Sequence, residues 1–434
     1  MLKMKQFFRK QSPARLITLG FAGVIILGTI VLKLPVSIRS GVEVSWIDAL
    51  FTSTSAVCVT GLIAIDTADH FTVFGRTIVA LLIQVGGLGV TSVGVGIILA
   101  AGKRVGFKER LLVKEAMNTG GFKGMVLLVR SVLLVTLSFE VTGMILSYFV
   151  FVRDYSPLSA LGISAFHSIA AFNNAGFDIL GGLTNLIPYR NNILLNLTTS
   201  GLIIFGGLGF LVILDLLKKR SLKKLSLHSK IVISMSAVLI VTGTVLLKCT
   251  ENVTWMGAFF QSVSSRTAGF SSYPIGDFTK AGLFILIMLM FIGASPGSTG
   301  GGIKTSTLFV LLNVIKSTAT NQHYVAFKRR IPDKAVFKAF IITLLSLFVV
   351  CISTLLMCIF DPEYTFLQLL FECVSAFGTV GLSTGITPDL SAAGKLVIIF
   401  TMFTGRLGAL TIVTMWSFRQ PSSAVFTEET ITIG

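Results

Sequence analysis

Apolar residues run along this chain in long unbroken stretches. Those ending at Leu34, Ala101, Val152, Leu217, Leu247, Phe360 and Phe418 each supply the roughly 20 residues that a membrane-crossing helix needs. An eighth, residues 281–314, is longer than one crossing requires and has a polar middle. Strands of a transmembrane barrel would instead alternate apolar and polar positions over about ten residues. The pattern predicts eight membrane-crossing helices in an all-α polytopic membrane protein.

A second pattern lies between these spans. Residues 46–61, 165–177, 258–270 and 370–383 are half-apolar, mix aromatics with Ser, and close on a few small or polar residues and one glycine. The closing glycines are Gly61, Gly176, Gly269 and Gly381, spaced by 115, 93 and 112 residues. That spacing predicts one unit, membrane–pore-loop–membrane, used four times around a pseudo-fourfold central pore. The repeats run over 1–101 with a cytoplasmic N-terminus, 102–217, 218–315 with a broken second helix, and 316–434 with a short cytoplasmic tail.

Composition agrees with a lipid solvent. The chain of 434 residues is 53% hydrophobic and 13% charged, too little polar surface for a soluble globule. The net charge of +17 is mostly topology. Segments 1–15, 102–123, 218–230 and 316–338 hold 23 Lys/Arg against 3 Asp/Glu, while the connections between them are nearly balanced. Basic segments stay cytoplasmic, and they are too short to serve as a nucleic-acid surface. The five cysteines are odd in number and lie in or beside apolar stretches, so they form no disulfide framework. The first apolar run, 16–34, lacks a small-residue cleavage site and reads as a retained span.

The four half-apolar segments are too short and too polar to cross a membrane. They suit re-entrant helices, whose bare backbone must be buried in protein or line water. Four such loops around one axis would bring backbone carbonyls to one narrow point, where they can replace the water shell of a cation. The loops that would do so close at Gly61, Gly176, Gly269 and Gly381. Such a selectivity filter tolerates side-chain variation, and its glycines supply unusual dihedrals and close approach.

These loops resemble those of the Trk/Ktr/HKT superfamily of potassium transporters, specifically the membrane subunit of the bacterial Ktr type (KtrB-like). The fourth loop, residues 378–383 (GTVGLS), is also similar to the filter signature of potassium channels. The likeness extends over residues 16–418. It implies a single potassium pathway in a multi-pass protein of the bacterial plasma membrane, a homodimer, and a cytoplasmic nucleotide-binding regulatory ring (KtrA-like) on a separate chain. Carried over residue by residue, it also implies that main-chain oxygens of Val59, Thr60, Gly61, Asn174, Ala175, Gly176, Thr267, Ala268, Gly269, Thr379, Val380 and Gly381 are the filter ligands. No cofactor is expected on this chain; K+ is the transported ion, with possible Na+ dependence. In the family, Ser in place of the first filter glycine accompanies sodium permeation, so Gly61 favours potassium.

Two oddities remain in the spans. Residues 293–302 hold five Gly and one Pro, which no α-helix survives. The segment nearly matches a phosphate-binding loop, but Ile303 separates Gly302 from Lys304 and an apolar helix precedes it, so nucleotide binding is not expected. In the family the corresponding stretch is an intramembrane gate below the filter, which here would comprise Gly293, Ser295, Gly297, Ser298, Thr299, Gly300, Gly301, Gly302, Lys304 and Thr305. Arg406, mid-way along the last span, costs about 2.5–3.5 kcal/mol to insert unless it faces water or a partner. It is expected to act as a pin on free carbonyls, as a charge barrier beside the pore, or as both. Ala409 stands where the family motif usually has Pro.

Other candidates are weaker. His70, His167, His228 and His323 are scattered. Asp48, Glu140 and Glu372 lie in pore segments or spans, with backbone capping the expected role for each. No nucleophile–base pair or metal set stands out, so an enzyme is not predicted. The alternative is a sodium-coupled secondary transporter of a small solute, with the broken helix as its binding site.

Overall fold

The computed structural model describes residues 12–101, 105–116, 125–414 and 427. The N-terminal basic run, most of segment 102–123, the last span beyond residue 414 and most of the C-terminal tail therefore lie outside the described residues. Each repeat opens with one long first helix: Pro13–Leu32, Met125–Phe151, Leu227–Thr250 and Asp333–Phe360. Ser12 caps the first by accepting from Arg15 N, with Pro13 at the opening position, and Ser226 caps the third. All four are long and apolar enough to cross a membrane. Their outer faces stay unpacked: Leu127 and Leu344 are 67% and 72% exposed, as lipid-facing residues are.

A short pore helix follows in every repeat: Trp46–Cys58, Pro157–Phe172, Trp255–Ser264 and Phe366–Gly378. Ser45, Thr254 and the Thr365–Gln368 capping box fix three of their starts. The first three pore helices each hang on their own first helix through a small-residue contact. Ser53, Ser168 and Ser262 donate to the carbonyls of Ile25, Glu140 and Ile240 at 2.8, 2.6 and 2.9 Å. The first helices admit them with Gly28, Gly143 and Gly243, where a Cβ would lie within 2.5 Å of the serine hydroxyl.

The second helices correct the sequence reading, which broke only the third. Val73–Leu88 turns into the next helix by 98° at Gly89, and Ile193–Leu208 by 96° at Gly209. Ala392–Leu407 likewise breaks from Ala409–Thr414 at Gly408. The three hinge glycines have φ of +83°, +90° and +86°, a conformation that glycine reaches at little cost. They close one recurring motif, Gly86–Gly87–Leu88–Gly89, Gly206–Gly207–Leu208–Gly209 and Gly405–Arg406–Leu407–Gly408. Because apolar residues continue past each hinge, periodicity alone reads one straight span. Among the described residues four unbroken helices are long and apolar enough to cross, or up to six spans if each sharply bent pair is one.

The repeats close into a ring at the pore-loop end. Asp66 and Asp69 accept from Leu183 N and Gly182 N at 2.8 and 3.0 Å, joining repeats one and two. Asn185 accepts from Ser271 N at 3.0 Å, joining two and three. Lys395 pairs with Asp48 at 2.9 Å, joining four and one. The basic connections join second helices to the next first helices, so chain connectivity sets them at the opposite end from the pore loops.

Candidate functional site

Each pore helix is followed, two places before its glycine, by a residue in the left-handed region. These are Val59, Asn174, Thr267 and Thr379, at φ of 56°, 57°, 77° and 49°. The glycines that follow, Gly61, Gly176, Gly269 and Gly381, also have positive φ, from 66° to 92°. The turn consumes amide donors. Val59 N and Thr60 N bond Ala56 O and Ser55 O at 3.1 and 2.8 Å. Asn174 and Ala175, and again Thr379 and Val380, repeat the arrangement. Ser55 and Ser375 add hydroxyl acceptors for Gly61 N and Gly381 N. With their N–H groups turned back onto the pore helices, these loops keep their carbonyls free of the helix that carries them.

The loops meet one another in cyclic order. A Cβ on Gly61 would lie 2.4 Å from Ala175 O, on Gly176 2.8 Å from Ala268 O, on Gly269 2.3 Å from Val380 O, and on Gly381 2.1 Å from Thr60 O. Four equivalent carbonyls thus alternate with four glycines around a closed ring of repeats one to four. All twelve residues expected at the loops come together there; eleven are buried and Gly381 is partly exposed. A β-branched residue at positive φ is strained, and Val59, Thr267 and Thr379 are β-branched. Two of these side chains have tasks. Thr267 Oγ1 accepts from Asn174 Nδ2 at 3.2 Å, and Thr379 Oγ1 accepts from Gly301 N at 2.9 Å.

That second bond belongs to the loop between Lys280–Phe291 and Thr305–Ala319. The loop lies directly beneath the ring: a Cβ on Gly300 would fall 2.1 Å from Thr267 Oγ1, and one on Gly301 2.5 Å from Thr379 Oγ1. Its freed backbone finds partners in the second repeat. Ser295 N donates to Gly207 O at 3.0 Å, and Phe210 N to Gly297 O at 3.0 Å. Ser295 Oγ and Thr305 Oγ1 pair at 3.1 Å, while Ser298 Oγ donates to Ser295 O at 2.6 Å. Gly293 packs against the Gly301 carbonyl and Gly302 turns at φ +67°. All the residues expected in this loop therefore occupy one compact plug.

Two cations clamp it. Lys304 Nζ donates to Gly300 O and Gly301 O at 2.7 and 3.1 Å. Arg406 donates to Thr299 O in the loop, and to Gly86 O and Gly87 O of the first repeat. The pin expected of Arg406 is thus present in the geometry. Arg406 occupies the place that Gly87 and Gly207 hold in the other two hinge motifs. Gly405 before it admits the pore helix, since a Cβ there would lie 2.0 Å from Phe377 O.

The expected carboxylate caps divide. Glu372 is a cap: it accepts from Thr384 N, Ser383 Oγ and Thr387 Oγ1 at 2.9, 2.7 and 2.7 Å, holding the segment after the fourth loop. Asp48 is not, because its carboxylate pairs with Lys395 and takes the Ser45 hydroxyl instead. Glu140 caps no backbone either; it accepts Asn173 Nδ2 at 3.0 Å, and the same amide reaches Gln84 Oε1 at 2.8 Å across the seam between repeats one and two. Replacing Glu372 by Ala removes the acceptor of four donors, Thr384 Oγ1 included, at about 1–3 kcal/mol for each that stays dry. Lower membrane abundance and a lower melting temperature in detergent are expected, and unchanged values for both would refute the capping role.

Sequence reasoning missed Arg266, which stands directly before Thr267 and is buried. The signal was available, since a Lys or Arg occurs in only the third of the four pore segments.

Comparison with known proteins gives consistent matches. The family model described as TrkH, cation transport protein, matches residues 24–247 and 231–428. The chain is 39% identical to the Ktr system potassium uptake protein B of Bacillus subtilis (strain 168), covering 96% of this chain and 97% of that one. It is also 39% identical to the potassium/sodium uptake protein NtpJ of Enterococcus hirae, over 99% of both chains. Among solved structures, the potassium transporter TrkH from Vibrio parahaemolyticus superposes with a TM-score of 0.74 at 19% identity, covering 94% of this chain and 86% of that one. That last likeness is one of fold.

Proposed function

Because this chain belongs to the TrkH family of cation transport proteins, we propose that it is the potassium-translocating membrane subunit of a potassium uptake system. The observation that carries this reading is the cyclic ring of Thr60, Ala175, Ala268 and Val380 carbonyls around Gly61, Gly176, Gly269 and Gly381. Main-chain oxygens at such a constriction exchange for the water shell of a cation. The residues of the four loops, from Val59 through Gly381, form the filter, and the plug beneath it with Lys304 and Arg406 forms the gate. Ions pass when the plug withdraws from Thr267 and Thr379.

The Ktr likeness supports a homodimer in the bacterial plasma membrane with the N-terminus cytoplasmic. It also supports regulation by a nucleotide-binding ring on a separate chain. The helix Thr305–Ala319 follows the plug and leads into basic segment 316–338, which suits an acidic cytoplasmic partner. The test is potassium-limited growth of an uptake-deficient bacterium expressing this chain, with and without a candidate regulatory subunit. Growth rescued by the chain supports the reading. Failure of a membrane-inserted chain to take up potassium or rubidium under either condition overturns it.

A further inference from the structure

Arg266 is 8% exposed. Its two terminal nitrogens donate to the carbonyl and hydroxyl of Ser236, on the first helix of the same repeat, at 3.1 and 3.2 Å. Its Nε has no partner among the described residues. Ion pairs among those residues are Lys219–Asp215, Arg330–Asp333 and Lys395–Asp48, so no carboxylate neutralises Arg266. The small cavity beside it is walled by Gly207, Leu208, Ile240 and Val263, which offer no counter-charge. A buried charge of this kind in a membrane protein marks a function by default.

Its position in the ring is informative. Arg266 shares its small cavity with Gly207 and Leu208 of the second repeat, at the seam between repeats two and three. Arg406 holds Gly86 and Gly87 at the seam between repeats four and one. In a ring ordered one to four these seams are opposite. The plug is tied to both sides, through Thr299 O to Arg406 and through Ser295 N to Gly207 O.

We propose that Arg266 is a second electrostatic barrier to cations, paired with Arg406 across the pathway just below the filter. The inference rests on the reading of the ring as a potassium pathway. Two like charges on opposite sides add their potentials on the axis while their sideways forces on an ion oppose one another. An ion leaving the filter is therefore slowed, and in a low-dielectric surround each charge contributes separately.

The experiment measures rubidium uptake per inserted molecule for the parent and for Arg266→Gln, Arg266→Lys and Ser236→Ala, with or without Arg406→Gln. Arg266→Gln is expected to raise maximal uptake about threefold to tenfold, leaving the potassium-to-sodium preference unchanged. Arg266→Lys should restore the low parental rate, and Ser236→Ala, which keeps the charge, should leave it unaltered. Joined to Arg406→Gln, the increases should multiply. Parental or reduced uptake by Arg266→Gln at equal abundance overturns the proposal, as does a shift in ion preference, which would make Arg266 a positioning residue for the Thr267 strand. If Arg266→Gln is not recovered in membranes, parental uptake by both Arg266→Lys and Ser236→Ala upholds the charge role, and loss in either overturns it. A parent that transports no rubidium or potassium refutes the pathway itself, which is a separate failure.

Discussion

Serine at position 61 is expected to lower the preference for potassium over sodium by about tenfold, measured as the ratio of uptake affinities. Gly61 has φ +89°, and a Cβ there would sit 2.4 Å from Ala175 O. The left-handed conformation alone costs a residue with a side chain about 1–2 kcal/mol, and the overlap must be relieved by moving a neighbouring carbonyl. A displaced carbonyl changes the width and field of the ring that each ion meets, and about 1.4 kcal/mol of difference between two ions is a factor of ten. The four glycines are not equally crowded. Gly381 would bring its Cβ within 2.1 Å of Thr60 O, while Gly176 leaves 2.8 Å to Ala268 O. Serine should therefore damage selectivity most at Gly381 and least at Gly176. Four serine variants that all keep the parental ratio would end the filter assignment.

Removing residues Gly300, Gly301 and Gly302 is expected to raise maximal uptake about tenfold or more while leaving the ion ratio intact. The deletion takes away the bond from Gly301 N to Thr379 Oγ1 and both carbonyls that Lys304 grips. Losing these shifts the plug toward its withdrawn arrangement, and about 1.4 kcal/mol suffices for a tenfold change in open population. The ring carbonyls belong to other segments and stay in place. Arg406→Gln should act in the same direction, since it frees Thr299 O, Gly86 O and Gly87 O from one guanidinium. It should also lower abundance and melting temperature, because carbonyls left dry cost about 1–3 kcal/mol each. Both variants fully inserted and no faster than the parent would leave the plug a structural brace.

Much of this organisation can be read from the chain. The fourfold unit shows because each pore segment closes on a glycine after small residues, and the plug shows because five glycines and a proline interrupt one apolar run. Arg406 is conspicuous for the same reason, a charge in an apolar span. What it holds is not, since Gly86 lies 320 residues away in sequence. The hinges at Gly89, Gly209 and Gly408 escape notice because a single glycine within continuing apolar residues changes direction without changing hydropathy. Asp48 reads as a local cap until Lys395, far along the chain, is folded against it. Arg266 shows as the single Lys or Arg in the four pore segments, while its partner Ser236, 30 residues away, does not.

The seam that Asp48 and Lys395 close also bears on how the protein is made. Its partners are 347 residues apart, so the first pore loop leaves the ribosome long before the residues that complete its surroundings. Until the fourth repeat inserts, Gly61 lacks the neighbour that packs against it from Gly381, and the Gly86 and Gly87 carbonyls lack Arg406. The nascent protein thus spends most of its synthesis as an open arc with unsatisfied backbone facing lipid or its own water-filled cleft. Contacts of such long sequence separation form late. The last repeat acts as the keystone of assembly, and substitutions within it should reduce yield more than equivalent ones in the first.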